Sequence, residues 1–401
     1  MSEAEEQSKT IEVKFPLIFL RTKRGIQLME RLGRMKLTRV LAWILLVVVP
    51  ISAALFMFLI LNVVIRFLSD PFARALIRDL GPQANFLIPG LNPYVPVLYG
   101  WVAIVTGLIV HEGGHGILAR SLNLPVKSSG LMLLLGLPIG AFVEIDDKEL
   151  AKARLRDSGR VLAAGPGNNI VAGSISLVAL LLLVSSMTPM VVGVGVLGVL
   201  EGYPPAEVGI LPGDVIQELN GRTIPDIQTL TLVRRQFAPG DEVTVKIMRD
   251  SDFLSYTLKL ASDPNDKSVG FLGIIAQDFK NTANNYLASP ALFFAPPTFP
   301  GLGNSVPFSP VLERFFTSPM GVLTHPLANL LYWIWFVNIN LALFNALPIY
   351  PLDGGQMLRF SLRRVSGGRL SERLQMRLTI ATTLTVIAII AIYLIIPYIM
   401  F

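Results

Sequence analysis

Between Leu41 and Ile65 the chain carries no charged residue. An α-helix rises 1.5 Å per residue, so about 20 apolar residues cross the hydrocarbon core of a bilayer. Lipid offers no hydrogen bonds, and a helix is the single-segment structure that satisfies its own backbone there. This run therefore predicts a first membrane span. Four more apolar runs follow: Val95 to about Leu118, Val161 to Met187, Pro326 to Tyr350 and Leu378 to Met400. Composition agrees, with 52% hydrophobic and only 15% charged residues; a soluble domain is typically about a quarter charged.

The charges between these runs predict how they are threaded. Residues 1–40 start acidic, with Glu3, Glu5 and Glu6, and then turn basic through Arg21, Lys23, Arg24, Arg31, Arg34, Lys36 and Arg39. They read as a cytoplasmic basic tail; the apolar run behind them is too long for a cleavable signal peptide and lacks its small-residue site. Residues 120–160 hold seven positive charges and residues 356–377 hold six arginines, whereas 66–94 carry only Arg66, Arg74 and Arg78. Positive charge collects on the cytoplasmic side. Five spans put all three basic regions there, the N-terminus included, and put the long segment between spans three and four on the opposite side. The net charge of +6 is thus a membrane-flanking charge. No basic patch interleaved with aromatics suggests nucleic acid as a partner.

Chemistry concentrates at His111-Glu112-Gly113-Gly114-His115, at the end of the second run. On a helix the two histidines share one face. That spacing lets two imidazoles hold one zinc, with Glu112 placed to take a proton from water. The chain has no cysteine and a single further histidine, His325, so a third ligand must be His, Asp or Glu. Asp353 falls at the same cytoplasmic end as the motif by the charge rule alone. His325 is the competitor and falls at the other end of its span. An ionisable group at membrane depth is costly and marks function by default.

Two other stretches stand out. Residues 130–144 are apolar but short, and Gly136, Pro138 and Gly140 punctuate them; they predict a hairpin or re-entrant element and not a span. Between Pro189 and Thr324 lie short β-like runs, 191–200, 214–219, 242–248 and 253–260, with Asn220-Gly221 as a turn. Eight prolines follow between residues 290 and 326.

Taken together these stretches resemble the site-2 protease family of intramembrane zinc metalloproteases. His111–His115 matches its HExxH. Gly165-Pro166-Gly167-Asn168-Asn169 matches its G-P-x-x-N at the head of the next span. Asn345 through Gly354 matches N-x-x-P-x-x-x-x-D-G, and residues 201–221 match the A-x-x-x-G-x-x-x-G-D-x-I-x-x-x-N-G pattern of a PDZ-like insertion. The resemblance covers Val95 to Gln356. It implies His111, His115 and Asp353 as ligands of Zn2+ and Glu112 as general base. It also implies Asn169 as a catalytic group at the substrate backbone or the developing oxyanion, with Asn345 in a similar role. The hairpin resembles a membrane-inserted β element whose edge, around Gly140 and Phe142, pairs with an unwound substrate strand. Residues 269–274 resemble the carboxylate-binding loop of a PDZ groove.

The expected fold class is a multi-span α-helical membrane protein of about five spans, with a small mixed α/β PDZ-like domain inserted between spans three and four. The expected divisions are the tail at 1–40, the first span at 41–68, a catalytic core in two parts at 95–188 and 326–356, the PDZ-like domain at 190–276, a proline-rich connector at 277–325 and a last span at 378–401. The expected activity is hydrolysis of a peptide bond in or near the transmembrane segment of membrane-anchored proteins. The lipid bilayer is the setting, and a peptide ligand, or a filter over the active site, is the expected use of the PDZ-like domain. A non-catalytic PDZ-bearing scaffold is the first rival, and Glu112 argues against it because a structural zinc site has no use for a base. An ion transporter is the second; it predicts internally repeated halves, which the sequence lacks.

Overall fold

The computed structural model describes residues 11–22, 24–146, 149–150, 153–250, 252–264, 266–367 and 369–400. The chain forms two compact units, one of residues 1–176 and 333–401 and one of residues 177–332. Five helices are long and apolar enough to cross a membrane.

In the first unit the uncharged run lies in helix α2 (Lys36–Ser69), which contains Pro50. Trp43, Ile44, Val47, Ile51, Leu55 and Phe58 of α2 are exposed, as expected of a helix solvated by lipid. Its other side is covered: Phe67 stacks on Tyr393 of the C-terminal helix, ring centroids 5.8 Å apart, and Ile60, Val64 and Phe67 cluster with Ile396.

The basic-tail expectation fails over residues 11–33. These residues form strands β1 (Ile11–Lys14) and β2 (Leu17–Thr22) and helix α1 (Arg24–Gly33). Together with β3 (Val126–Leu134) and β4 (Leu137–Ile145), the strands build one antiparallel sheet in the order β1-β2-β3-β4. Leu17 pairs with Leu134 and Phe19 with Met132. The reason is physical: β1 pairs with its neighbour β2, but the other partner of β2 is more than a hundred residues away, so no local pattern announces the sheet. Arg21 ties the sheet together crosswise, donating to Glu12, Ser128 and Glu144. The remaining tail residues, 1–10 and Lys23, lie outside the described residues, as do Lys148 and Lys152.

β3 and β4 meet through Leu135-Gly136, both at positive φ (50° and 91°), the two-residue turn that suits the right-handed twist of a hairpin. After the short helix α3 (Pro71–Leu80), helix α4 (Val97–Ser121) carries the histidine motif. α1 packs on it almost backbone to backbone: a Cβ at Gly33 would come within 2.7 Å of the Ile117 carbonyl. Glu30 of α1 pairs with Arg120 at 3.2 Å. Helix α5 (Leu155–Ser185) holds the G-P-x-x-N motif.

The second unit has a sheet whose principal strands are β5 (Val194–Val199), β6 (Val215–Leu219), β7 (Glu242–Arg249), β8 (Asp252–Lys259) and β9 (Ile274–Asp278), in the order β8-β7-β6-β5-β9. Val194, Val196, Ile216, Leu219, Val245, Ile247 and Leu258 form its core. Helix α6 (Ile227–Arg234), capped by Asp226, lies against β9. The stretch after β9 opens with helix α7 (Phe279–Ala288), capped by Asp278, and continues through proline-punctuated turns to helix α8 (Thr324–Ala346). Helices α9 (Asp353–Val365) and α10 (Glu372–Ile399) complete the first unit.

Asp214 in this sheet is 1% exposed. Arg249 holds it with two 2.8 Å hydrogen bonds, and the Leu211 N–H adds a third at 2.8 Å. Removing one partner of a buried pair strands the other charge. Arg249→Met is therefore expected to destabilise this unit by about 3 kcal/mol, read as a lowered midpoint for its thermal transition; an unchanged midpoint contradicts the assignment.

Candidate active site

The buried face of α4 explains how a metal-binding pair comes to lie inside apolar surroundings. Gly100, Ala103, Gly107, His111, Gly114, His115 and Leu118 recur at helical spacing along it. Most are small, so neighbouring helices come close. A Cβ at Gly107 would meet Leu341 of α8 at 2.6 Å, and one at Gly114 would meet the Ala164 carbonyl of α5 at 2.6 Å. Gly113, in contrast, faces open space.

The histidines point into that packed interior, 7% and 9% exposed. Their Nε2 atoms stand 3.3 Å apart. Asp353, the first residue of α9, brings Oδ2 to 3.1 Å from His111 Nε2 and 3.3 Å from His115 Nε2. His115 Nδ1 donates to the Val161 carbonyl at 2.8 Å, so in the neutral ring Nε2 carries the lone pair that a metal would take. Asp353 Oδ2 is buried without a proper hydrogen-bond donor. Acceptors crowded together in this way repel one another unless a cation sits among them. A tetrahedral zinc with bonds of about 2.0–2.1 Å separates its ligand atoms by about 3.3–3.4 Å, close to the 3.1–3.3 Å found. The donor set therefore fits zinc.

Backbone geometry enforces the cluster. A Cβ at Gly165 would collide with His115 Nε2 and sit 2.7 Å from His111 Nε2. The motif glycine is thus the residue that lets α5 pass behind both rings. Gly354 and Gly355 do the same for the turn before α9: a Cβ at either would strike the backbone of residues 346–350.

The other expected residues fall as follows. Glu112 sits beside the cluster, its Oε2 accepting the Val143 N–H at 3.0 Å. Asn169 is fully buried, its amide 3.3 Å from His111 Nδ1. Asn345 donates to the Leu341 carbonyl one turn back in its own helix at 2.9 Å. His325 spends Nε2 on the Phe316 carbonyl at 2.7 Å and has no part in the His111–His115–Asp353 cluster.

At the hairpin edge the outward backbone groups fall on the residues next to Gly140 and Phe142. Backbone groups along a strand alternate between the two neighbours. Because the Val143 N–H points away from β3 to Glu112, Val143 and Ala141 carry the outward groups. Phe142 directs its backbone to β3 and contributes its ring to the cavity wall; Gly140 does not line that cavity. The cavity, about 450 Å³, opens onto Glu112 and Gly113 and is walled by Met29, Leu32, Phe142 and Asn168 among others. Its α1 side was invisible to motif reading, since no signature marks residues 24–33.

Residues 99–390 match the family model for peptidase family M50. The chain belongs to peptidase family M50. It is 32% identical over 338 residues to a protein of Methanocaldococcus jannaschii, covering 84% of this chain and 74% of that one. It is 29% identical to the zinc metalloprotease RasP of Bacillus licheniformis over 52% of this chain and 51% of that one. It is 27% identical to the regulator of sigma-E protease RseP of Escherichia coli over 44% of each. The chain thus spans about half the length of RasP and less than half of RseP. Within M50 it is of the site-2 protease type: a membrane-embedded zinc metallopeptidase with five candidate spans and an inserted sheet domain.

Gly165→Ala is expected to weaken zinc binding by about 10- to 100-fold, the usual effect of disturbing the shell around metal ligands. Chelator competition on the purified protein measures it; wild-type affinity would contradict the packing argument.

Proposed function

We propose that the chain cleaves membrane-anchored proteins within or near their membrane-spanning segment, with the cut on the cytoplasmic side and the inserted domain on the opposite side. The convergence of His111, His115 and Asp353 beside Glu112 and an apolar cavity carries the reading. The distribution of lysine and arginine supports the orientation.

His111 Nε2, His115 Nε2 and Asp353 Oδ2 would hold a zinc ion, which would supply Lewis-acid chemistry for a carbonyl and for water near neutral pH. Asn169 is a positioning residue: with its amide oxygen turned to the ring it accepts the His111 Nδ1 proton and keeps Nε2 free to ligate. That orientation also gives its buried Oδ1 the partner it otherwise lacks, and the two amide atoms are interchangeable in such a contact. Glu112 takes the proton from the attacking water and delivers it to the departing nitrogen.

A peptide bond in a helix is tied up in the helix's own hydrogen bonds, so the substrate must be extended before it is cut. The β4 edge offers Ala141 and Val143 for pairing. A strand that takes the Val143 N–H displaces Glu112 from it, so docking of the substrate releases the base. The apolar cavity walls suit a membrane-derived segment, and Gly113 leaves room for its approach. In the inserted domain the free edge of β9, beside α6, is the place for an extended peptide ligand.

Glu112→Gln keeps the size of the side chain and removes the base. Cleavage of a tagged transmembrane substrate should fall by about 10²- to 10⁴-fold while zinc content stays at the wild-type level. Undiminished cleavage would overturn the reading.

A further inference from the structure

Beside the turn that carries Asp353 lies a second, polar cavity of about 190 Å³. Arg359 and Arg363 of α9, one helical turn apart, line it together with Tyr350, Phe360, Glu372 and Gln375. Among the described residues neither guanidinium has a carboxylate or carbonyl partner, and the Tyr350 hydroxyl has none either. Arg363 and Tyr350 are exposed and Arg359 is half-buried, so these donors line one small space that is open to solvent and hold no protein acceptor there among the described residues. Glu372 shares the wall but pairs with neither arginine. Gln375 is buried, and its amide is spent on the Leu370 carbonyl at 2.8 Å.

We propose that this cavity binds a phosphate-bearing anion. Guanidinium groups match the planar, multi-oxygen face of phosphate and bind it by charge-assisted hydrogen bonds. The volume accommodates one phosphate with a short polar substituent. The position suits a membrane source: α9 is amphipathic, joins two apolar helices and bears its arginines on the basic side of the chain. An anionic lipid headgroup and free inorganic phosphate share this chemistry. Either occupant would touch the helix whose first residue is Asp353, and Tyr350, which is itself pinned to Thr383 of α10 by a 3.0 Å backbone hydrogen bond.

The bland explanation of these arginines is that they set membrane orientation. In that case all arginines of the α9–α10 region act alike. Arg369 and Arg373 are exposed, flank the same connection and do not line the cavity, so they serve as a charge-matched control. The test measures binding, not cleavage, and stands whether or not the proteolytic reading does. Full-length protein is taken from nanodiscs of phosphatidylcholine with or without phosphatidylglycerol, and retained lipid is titrated by native mass spectrometry; labelled inorganic phosphate is titrated in phosphatidylcholine alone. Phosphatidylglycerol binding that weakens by about tenfold or more in R359Q/R363Q, and by less than about twofold in R369Q/R373Q, supports a lipid headgroup. The same pattern with inorganic phosphate alone supports the free ion. Equal losses in both double variants, or no binding of either probe, overturns the proposal.

Discussion

Three lone-pair atoms brought within 3.1–3.3 Å of one another inside an apolar helix bundle are the constraint on which the rest depends. With both imidazoles neutral and no cation among them this is a repulsive arrangement, because the one His115 ring proton is committed to Val161 and Asp353 Oδ2 has no donor. Metal binding and packing are therefore coupled. The glycines are where the coupling is built. Gly165 lets α5 pass behind the imidazoles, Gly114 lets it touch α4, and Gly354 with Gly355 turns the chain sharply enough to present Asp353. Each is a place where a side chain would push one ligand away from the other two.

What could be read in advance follows the range of the interaction concerned. The His111–His115 pair was legible because helix periodicity is local. Asp353 was legible at a separation of more than two hundred residues because membrane depth, set by flanking charge, acts as a second coordinate. The sheet was not. β1 pairs locally with β2, but β2 pairs with β3 over a hundred residues later, and a short strand in a basic segment carries no signature of its own. The same limit explains the one-residue shift at the hairpin edge. Which of two adjacent residues faces outward depends on register, and register became visible only when Glu112 was found on the Val143 N–H. Asn169 was found by its motif, but its neighbour turned out to be a ring nitrogen, which spacing alone could not reveal.

In the proposed mechanism one base serves both a resting and a working state. Glu112 is satisfied at the strand edge in a site that must stay dry enough for its metal ligands and open enough for water. A substrate strand competes for the same N–H, so occupancy of the edge and availability of the base are linked by one hydrogen bond. The arginine-lined cavity is bounded by Tyr350, in the turn before Asp353, and by α9, the helix that Asp353 opens.

The most direct test of the metal centre is zinc K-edge absorption spectroscopy on the purified full-length protein. Two imidazole nitrogens and one carboxylate oxygen at about 2.0–2.1 Å, with the carboxylate contribution lost in Asp353→Ala, is the predicted result. A first shell with three imidazoles, or one unchanged by Asp353→Ala, would contradict it.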